Sequence, residues 1–315
     1  MIKKQKSYGS YDYRDYMTNL IMMVGLPGSG KSTYAKELAD KYNAVICSSD
    51  EIRKELFGNE DVQDKNDEVF RLLHKRIKDY LNNKRSVIYD ATNINSKRRR
   101  AFLSELKNTV CFKRCIIMAT PFEECLINNF NRGRVVPHKA IEKMYKNWNT
   151  PYWFEGWDDI EIKYPDNKYY YNYYYNVDYF IKSHMNYNQD NPHHTMTLGE
   201  HCKAVGNELK DNNTLYYAGL LHDCGKTFTK SFVNSKGEET NIARYYQHHC
   251  VGAYHSMFFK YPSDVDILDV SILINLHMMP YFWEKDNTRQ KYKELWGDEL
   301  YNDIMLLHTA DKKNH

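Results

Sequence analysis

Glycine, lysine and serine residues near the start of the chain have the spacing of a loop that binds phosphate groups. The stretch GLPGSGKST at 25–33 fits the pattern G-x-x-x-x-G-K-S. Glycines in such a loop let backbone N–H groups turn inward and approach phosphate oxygens closely. Lys31 is expected to reach the β- and γ-phosphates of ATP or another NTP, and the Ser32 hydroxyl to hold Mg²⁺. The predicted nucleotide-binding residues are Gly25, Gly28, Ser29, Gly30, Lys31, Ser32 and Thr33.

Histidines and aspartates in the second half form another set that could do chemistry. They are His201, His222, Asp223, His248, His277 and Asp311, each on a segment that is predicted to be helical. Imidazole and carboxylate groups suit divalent transition metals such as Mn, Co, Ni or Fe. Because His222 and Asp223 are adjacent, the carboxylate could bridge two ions while the imidazole binds one. The alternative, for any single histidine, is an ordinary surface or core residue.

Acidic and basic side chains follow the loop at positions that suit phosphoryl transfer. Asp50 comes just after a short β-type run and stands three residues before Arg53, so both can face one cleft. Asp50 suits either a helix N-cap or a catalytic base. Arg132 and Arg134 flank a glycine after a helix, which is where a lid could close over the transferring phosphoryl group. A solvated basic helix end is the alternative for these two arginines.

The elements that must position the loop alternate between strands and helices. An apolar run at 20–24 precedes the loop and predicts a buried strand. Further strands are predicted at 44–47, 86–90, 115–118 and 161–164. Helices are predicted from 34, at 68–81, from 121 and at 139–148. This alternation predicts an α/β P-loop domain over residues 1–168, with a parallel sheet and flanking helices.

The second half of the chain is predicted to be helical. Helical segments begin near residues 198, 216, 245 and 267, and a last one lies near residue 306. We therefore expect an all-α domain over residues 193–315. Residues 169–192 crowd Tyr, Asn and Asp together without periodicity, which predicts a Tyr/Asn-rich junction that forms an ordered linker.

Composition limits the class of protein. The chain has 27% charged and 42% hydrophobic residues and no apolar run of the roughly 18 residues that span a membrane. Its N-terminus lacks the apolar core of a signal peptide, so we expect a cytoplasmic protein. Seven scattered cysteines without a C-x-x-C pair favour reduced thiols. Residues 1–168 carry 30 Lys and Arg against 23 Asp and Glu, a net +7, which suits a polyanionic substrate.

The first half resembles the kinase domain of polynucleotide 5′-kinases. The matching stretches are GLPGSGKST, SSDEIRKELFG, VIYDATNINSKRRR and NRGRVVPHKAIEKMYKNW, within residues 20–165. The resemblance implies that Asp50 is the general base on the 5′-OH and that Arg53 contacts the acceptor phosphate. It also implies that Arg132, and less directly Arg134, contacts the donor phosphates. The residues it places on the acceptor side are Asp90, Thr92 and Asn93. Metabolite kinases of related build share much of this pattern.

The second half resembles the HD phosphohydrolase superfamily in its two-metal form, over residues 193–311. The resemblance implies that one ion is held by His201, His222, Asp223 and Asp311, and the second by Asp223, His248 and His277. His249 is an alternative to His248, which we prefer because it stands four residues before Gly252. Lys226 is expected to neutralise phosphoryl oxygens. His193 and His194 could line the substrate pocket or face solvent.

The combination of the two halves resembles HD-type polynucleotide kinase-phosphatases, which heal broken nucleic acid ends. It implies phosphorylation of 5′-OH ends and removal of 3′- or 2′-phosphates or opening of 2′,3′-cyclic phosphates, in RNA or DNA. A ligase is an expected downstream partner, and no membrane partner is expected. A nucleoside or small-metabolite kinase fused to an HD nucleotidase is the main alternative. A nucleotide-sensing regulator is a third, but it would need neither Asp50 nor the full histidine set.

Overall fold

The computed structural model describes residues 17–62, 64–165, 175–285 and 288–314. The basic N-terminal stretch and the first part of the predicted junction, at 169–174, lie outside the described residues. Every helix in the described ranges is too short or too polar to span a bilayer. All seven cysteines are buried, and none of them is in a disulfide.

A five-stranded parallel sheet forms the first half, in the order β2-β3-β1-β4-β5. Its strands are β1 (Asn19–Val24), β2 (Val45–Ser48), β3 (Val87–Asp90), β4 (Phe112–Met118) and β5 (Asp159–Lys163). All six residues of β1 are buried, as a central strand of a parallel sheet requires. At their carboxyl ends, β1 leads into the phosphate-binding loop, β2 is followed by Asp50, and β3 ends at Asp90. The predicted α/β architecture is confirmed.

Within the described residues of the first half, six α-helices accompany the sheet. They are α1 (Lys31–Tyr42), α2 (Ser49–Phe57), α3 (Asn66–Asn82), α4 (Ser96–Glu105), α5 (Phe122–Phe130) and α6 (His138–Lys146). The helix predicted at 68–81 is α3, in which the buried side chains of Val69, Leu73 and Ile77 recur every four residues and form an apolar face. β4 begins three residues earlier than predicted because Lys113 and Arg114 hide its start from an apolar pattern.

The second half is mainly helical. Its helices are α7 (Val177–Ser183), α8 (Leu198–Glu208), α9 (Asn213–Leu221), α10 (Lys226–Thr229), α11 (His248–Ser256), α12 (Ile267–Leu276) and α13 (Thr288–Lys313), the last interrupted at Gly297. The all-α prediction was wrong in detail. An antiparallel hairpin joins β7 (Ser231–Val233) and β8 (Glu239–Arg244), and a short parallel pair joins β6 (Tyr175–Asn176) and β9 (Phe259–Lys260). The hairpin strands are short and exposed or half-buried apart from Ala243, so they carry little hydrophobic signal.

Part of the predicted junction packs as a helix. The Asn176 side chain caps α7 by accepting a hydrogen bond from the Tyr179 N–H at 2.9 Å. Val177, Phe180 and Ile181 are buried. A Cβ atom on Gly199 of α8 would lie 2.7 Å from the carbonyl oxygen of Ile181, so α7 and α8 approach closely. The short helix escaped prediction because its seven residues are too few to show a period.

The two halves pack against each other through buried side chains. Trp148, just after α6, contacts Tyr254 of α11 with ring centroids 5.0 Å apart. Asn275 of α12 donates a hydrogen bond to the carbonyl oxygen of Trp148 at 3.1 Å. The hydroxyls of Thr150 and Ser271 lie 2.9 Å apart. These contacts fix the helices of the second half relative to the sheet of the first.

Candidate active sites

The loop between β1 and α1 has the backbone shape of an anion site. Gly28 and Gly30 have φ angles of 83° and 87°, which side-chain-bearing residues rarely adopt. A Cβ on Gly28 would lie 2.1 Å from the carbonyl oxygen of Cys125, and one on Gly25 would lie 2.6 Å from Ser29 Oγ. Gly30 is the N-cap of α1 and offers no side-chain hydrogen bond, so the first N–H groups of the helix are left for a ligand.

The side chains of the loop lie as a nucleotide site requires. The Lys31 ammonium is buried and donates hydrogen bonds to Leu26 O at 2.7 Å and to Ser29 Oγ at 3.4 Å. Burial lowers the pKa of Lys31, and the charge of Asp90 partly opposes this. Ser32 and Thr33 are exposed on the first turn of α1. Phosphate oxygens would be stronger acceptors for Lys31 than the Leu26 carbonyl is.

Asp50 does not cap its helix. The Ser48 hydroxyl is the N-cap of α2 and accepts hydrogen bonds from the N–H groups of Asp50 at 3.2 Å and Glu51 at 3.5 Å. The Asp50 carboxylate instead contacts two arginines. Its Oδ1 accepts a hydrogen bond from Arg53 at 2.7 Å, and its Oδ2 lies 2.7 Å from Nη1 of Arg134. The N-cap alternative is therefore wrong, and each carboxylate oxygen of Asp50 is held by an arginine instead.

The two predicted lid arginines have different surroundings. Arg134 contacts Asp61 at 2.9 Å as well as Asp50. It therefore lies beside the candidate base, and not over the phosphate-binding loop as the prediction for a donor-contacting lid arginine had it. Burial lowers the pKa of Arg134, but Asp50 and Asp61 outweigh it and raise the pKa. Burial and the charge of Arg134 lower the pKa of Arg132. Within the described ranges, no group accepts a hydrogen bond from the buried Nε of Arg132, which leaves donor capacity for a phosphate.

The predicted acceptor residues after β3 fasten their loop to the phosphate-binding loop. The Thr92 carbonyl accepts a hydrogen bond from the Gly25 N–H at 3.0 Å. Asn93 has a φ of 48° and donates to Met23 O at 2.9 Å. Asp90, which ends β3, is buried. Arg99, from the basic run of α4, is also buried and donates to Asn93 O at 2.8 Å. The Asn93 amide is thus used within the protein.

Arg99 is a positioning residue that sequence reasoning missed. Its guanidinium forms a buried ion pair with Glu155 at 2.6 Å. It also donates to the carbonyl oxygens of Asn93 and Asn149. The sequence showed only a run of four basic residues, which is typical of a solvated helix. A buried partner more than fifty residues away leaves no local signal.

In the second half, three of the predicted metal ligands form one buried group. Nε2 of His201 lies 3.0 Å from Nε2 of His222. Oδ1 of Asp311 lies 3.2 Å from Nε2 of His201 and 3.5 Å from Nε2 of His222. The ligand atoms of the three residues lie within 4.8 Å of one another.

The other three predicted ligands form a second buried group next to the first. Oδ1 of Asp223 lies 3.2 Å from Nε2 of His248 and 4.0 Å from Nε2 of His277. Oδ2 of the same carboxylate lies 3.4 Å from Nε2 of both His201 and His222. Asp223 therefore directs one oxygen to each group. His248 rather than His249 belongs to the grouped set.

The four histidines present the same nitrogen to the interior of the cluster. In each, Nδ1 faces a backbone carbonyl oxygen at 2.7–2.9 Å, contributed by Asn314, Gly219, Tyr245 and Ile274 for His201, His222, His248 and His277. A carbonyl accepts a hydrogen bond only from a protonated Nδ1. Nε2 therefore keeps its lone pair when the ring is neutral, which is the usual arrangement of a metal-binding histidine.

The charges of the cluster fit cations. Burial lowers the pKa of His222, but Asp223 and Asp311 outweigh it and raise the pKa to about 10. Burial raises the pKa of Asp223, but Lys226 and His222 outweigh it and hold the pKa well below its ordinary value. The carboxylates thus attract positive charge into a site of nitrogen and oxygen donors. This donor set fits divalent transition metals, and the orientation of the histidines agrees with that fit.

Lys226 lies at the side of the histidine and aspartate cluster. Its ammonium contacts Asp223 Oδ2 at 2.6 Å, Gln189 Oε1 at 2.8 Å and His194 Nε2 at 3.3 Å. The ring of Tyr245 lies 5.4 Å below it. Neither Gln189 nor Tyr245 was predicted, because neither residue type is diagnostic and Gln189 falls in the aperiodic junction.

Tyr281 is a further residue that the sequence did not reveal. Its hydroxyl donates a hydrogen bond to Asp311 Oδ2 at 2.9 Å. The other oxygen of Asp311 is the one that faces the histidines. A hydrogen bond of this kind orients a ligating carboxylate.

Comparison with known proteins gives matches to parts of the chain. Residues 20–151 match the protein-family model described as an AAA domain. L-seryl-tRNA(Sec) kinase of Methanococcus maripaludis is 32% identical over 154 residues, which are 45% of this chain and 57% of that protein. The chain thus spans a little over half the length of this curated relative. The family match covers β1 to α6, the part that carries the phosphate-binding loop.

Two solved structures are similar over less than half of the chain. The Pnkp1/Rnl/Hen1 RNA repair complex gives a TM-score of 0.36 and 23% identity, covering 46% of this chain and 46% of that chain. A gluconokinase from Sinorhizobium meliloti gives a TM-score of 0.36 and 13% identity, covering 48% of this chain and 85% of that chain.

Proposed function

We propose that the protein heals the ends of broken RNA or DNA strands through two reactions at two sites. One site transfers the γ-phosphate of ATP to a 5′-hydroxyl end. The other hydrolyses a 3′- or 2′-phosphate or opens a 2′,3′-cyclic phosphate. The observation that carries the proposal is one chain that combines a phosphate-binding loop beside Asp50 with two buried histidine groups that share Asp223. A ligase acting downstream would join the healed ends.

In the kinase reaction, the chain binds the donor and removes a proton from the acceptor. Lys31 exchanges the Leu26 carbonyl for phosphate oxygens, and Arg132 adds a second positive charge. Asp50 accepts the proton of the 5′-hydroxyl while the hydroxyl oxygen bonds to the γ-phosphorus. The bond between the γ-phosphorus and the oxygen that bridges to the β-phosphate breaks, and ADP leaves. One Asp50 oxygen must first exchange Arg134 for the hydroxyl. Mg²⁺ at Ser32 would neutralise charge on the phosphates.

Two observations support a polynucleotide acceptor. Residues 1–168 have a net charge of +7, which favours a polyanion over a neutral nucleoside. The Methanococcus relative is, by its name, a kinase whose substrate is attached to a tRNA. Arg53, which holds Asp50 at 2.7 Å, could contact the phosphate next to the acceptor nucleoside.

In the second reaction, four histidines and two aspartates form the binding site for two divalent metals. When bound, these metals would supply an activated water and stabilise charge on the phosphoryl group. Lys226 holds a phosphoryl oxygen beside the cluster, since its ammonium is fixed by Asp223 at 2.6 Å. Gln189 keeps that ammonium in place from the other side. Both contacts are buried, which strengthens them.

The test is an end-labelled RNA oligonucleotide with a 5′-OH and a 3′-phosphate, incubated with ATP and Mg²⁺ or Mn²⁺. We expect the 5′ end to gain a phosphate and the 3′ end to lose one. Free nucleosides and 3′-mononucleotides, tested at the same concentrations, should react with a lower kcat/KM. A higher kcat/KM on the small molecules would contradict end healing and favour the metabolite kinase and nucleotidase alternative. A DNA oligonucleotide of the same sequence measures the preference for RNA.

A further inference from the structure

We propose that His194 is a substrate-binding residue of the second site, which holds a non-bridging oxygen of the phosphoryl group next to Lys226. This inference rests on the proposed phosphatase function of that site. The sequence left His193 and His194 equivalent, as two histidines that could line a pocket or face solvent. The structure separates them, because His194 contacts Lys226 and is partly buried, whereas His193 is exposed.

The contacts of Lys226 identify where a phosphoryl oxygen can enter. An ammonium group has three protons to donate, and Lys226 has three polar neighbours, Asp223, Gln189 and His194. Asp223 and Gln189 are 3% and 2% exposed, so losing either contact would leave a buried acceptor without a donor. His194 is the most distant of the three at 3.3 Å and the most exposed. The contact with His194 is therefore the one that a substrate oxygen can replace.

The backbone around His194 is fixed on both sides along the chain. On the N-terminal side, Asn191 O accepts a hydrogen bond from the His194 N–H at 3.0 Å, and the Asn191 side chain donates to Ala243 O of β8. On the C-terminal side, Thr197 and Glu200 form a capping box that begins α8. A turn fixed at both ends positions a side chain more precisely than a free loop does.

The His194 ring also faces the metal cluster. Its centroid lies 6.4 Å from that of His201, a member of the first ligand group. One imidazole thus contacts both the cation that would bind phosphate and a residue that would bind metal. A phosphoryl group between the metals and Lys226 would come within reach of His194. Nε2 of His194 accepts a hydrogen bond from the Lys226 ammonium in this structure. When a phosphoryl oxygen replaces that contact, Nε2 takes up a proton and donates it to the oxygen.

The test compares His194→Ala, His194→Gln and the matched control His193→Ala in the metal-loaded full-length protein. Inorganic phosphate is the probe, and its binding is measured by calorimetry. We expect His194→Ala to weaken phosphate binding by about tenfold to a hundredfold, as for a lost hydrogen bond to a charged group. His194→Gln, which keeps a donor, should recover part of the affinity, and His193→Ala should bind as the wild type does. The KM for an oligonucleotide 3′-phosphate should follow the same order.

The outcomes separate the inference from the function on which it rests. Equal phosphate affinity in His194→Ala and His193→Ala would overturn the role of His194, even if the phosphatase is active. Phosphate binding that depends on His194 in a protein that removes no 3′-phosphate would support the inference and contradict the proposed function. Metal content and kinase rate should be unchanged in all three variants. A loss of metal in His194→Ala alone would show that the residue acts on the cluster, which would also overturn the proposal.

Discussion

The hydroxyl of Tyr254 donates a hydrogen bond to the backbone carbonyl oxygen of Thr120, and this contact joins the two halves of the chain. The Thr120 hydroxyl in turn donates to the carbonyl oxygen of Ser29 in the phosphate-binding loop at 3.0 Å. Tyr254 lies on α11, the helix that begins with His248. A single threonine thus connects the nucleotide loop with the helix that carries a candidate metal ligand.

Tyr254→Phe should reduce the stability of the whole chain. The substitution keeps the ring contacts with Trp148 but leaves the Thr120 carbonyl with only the weak thiol donor of Cys125. We expect the free energy of unfolding to fall by about 1 kcal/mol. Urea unfolding measures this, with Tyr246→Phe as the control because Tyr246 is exposed. Equal stability of the two variants would show that the Tyr254 contact contributes nothing.

Asp50→Asn should abolish the kinase reaction without unfolding α2. Ser48 caps the helix, so the cap survives the change. Loss of a general base should lower kcat by about a hundredfold to ten-thousandfold. Glu51→Gln is the matched control, since Glu51 is the next residue and is exposed. Lys31→Ala should have the same effect as Asp50→Asn, because the donor phosphates lose their buried cation. Full kinase activity in Asp50→Asn would mean that another group takes the proton.

Arg132→Ala should lower kcat by about tenfold to a thousandfold, through loss of a cation on the transferring phosphoryl group. Arg134→Ala should act differently because Arg134 contacts Asp50 and Asp61, and we expect its main effect on the KM for the 5′-hydroxyl strand. Steady-state kinetics with each substrate varied in turn distinguishes the two. Arg98→Ala, on the exposed side of α4, is the control. An unchanged kcat in Arg132→Ala would place the critical arginine elsewhere.

His255 should make the protein less stable in mild acid. It is buried between the halves, stacked on Phe228 with ring centroids 3.8 Å apart and bonded to the Tyr145 hydroxyl. Burial lowers the pKa of His255 to about 3. Its pKa in the unfolded chain is about 6.5. Between these values the unfolded chain binds a proton that the folded chain does not. The free energy of unfolding therefore falls as pH decreases, by at most about 1.4 kcal/mol per pH unit from this residue.

Urea unfolding of the wild type and of His255→Phe, from about pH 7 to pH 5, measures that contribution. The variant should show a shallower loss of stability. Burial also lowers the pKa of His249 to about 3, but that residue is present in both proteins and cancels in the difference. Identical slopes would mean that the pKa of His255 is the same in the folded and the unfolded chain.

Residues whose role depends on local spacing could be predicted from the sequence. The phosphate-binding loop from Gly25 to Ser32 could be predicted because an apolar strand, a glycine-rich motif and a helix follow one another directly in the sequence. The resemblance to the HD phosphohydrolase superfamily predicted that six histidines and aspartates cluster. The structure brings together all six, which are His201, His222, Asp223, His248, His277 and Asp311. The pairing of Arg134 with Asp50 could not be predicted. It joins residues 84 positions apart whose types would suit a solvent-facing surface equally well.

The contacts that support the sites were also beyond sequence reasoning. Gln189 holds Lys226, and Tyr281 holds Asp311, but glutamine and tyrosine occur in every kind of environment. The β7–β8 hairpin was missed because its short strands, which are exposed or half-buried apart from Ala243, lack an apolar face. In each case the partner is chosen by tertiary packing, which leaves no period in the chain.

The central claim is that one chain carries two independent sites, one for each end of a broken strand. Its most direct test is intact-mass spectrometry of a single RNA oligonucleotide with a 5′-OH and a 3′-phosphate. The oligonucleotide is treated with ATP and the wild type, Asp50→Asn or Asp223→Asn, and the metal content of each protein is measured in parallel. The wild type should add a 5′-phosphate and remove the 3′-phosphate. Asp50→Asn should remove the 3′-phosphate but add no 5′-phosphate. Asp223→Asn should add the 5′-phosphate but leave the 3′-phosphate in place. Asp223→Asn should also lose bound metal, because the Asp223 carboxylate reaches both ligand groups. The account would be contradicted if Asp223→Asn removed the 3′-phosphate at the wild-type rate. It would also be contradicted if none of the three proteins, the wild type included, removed it.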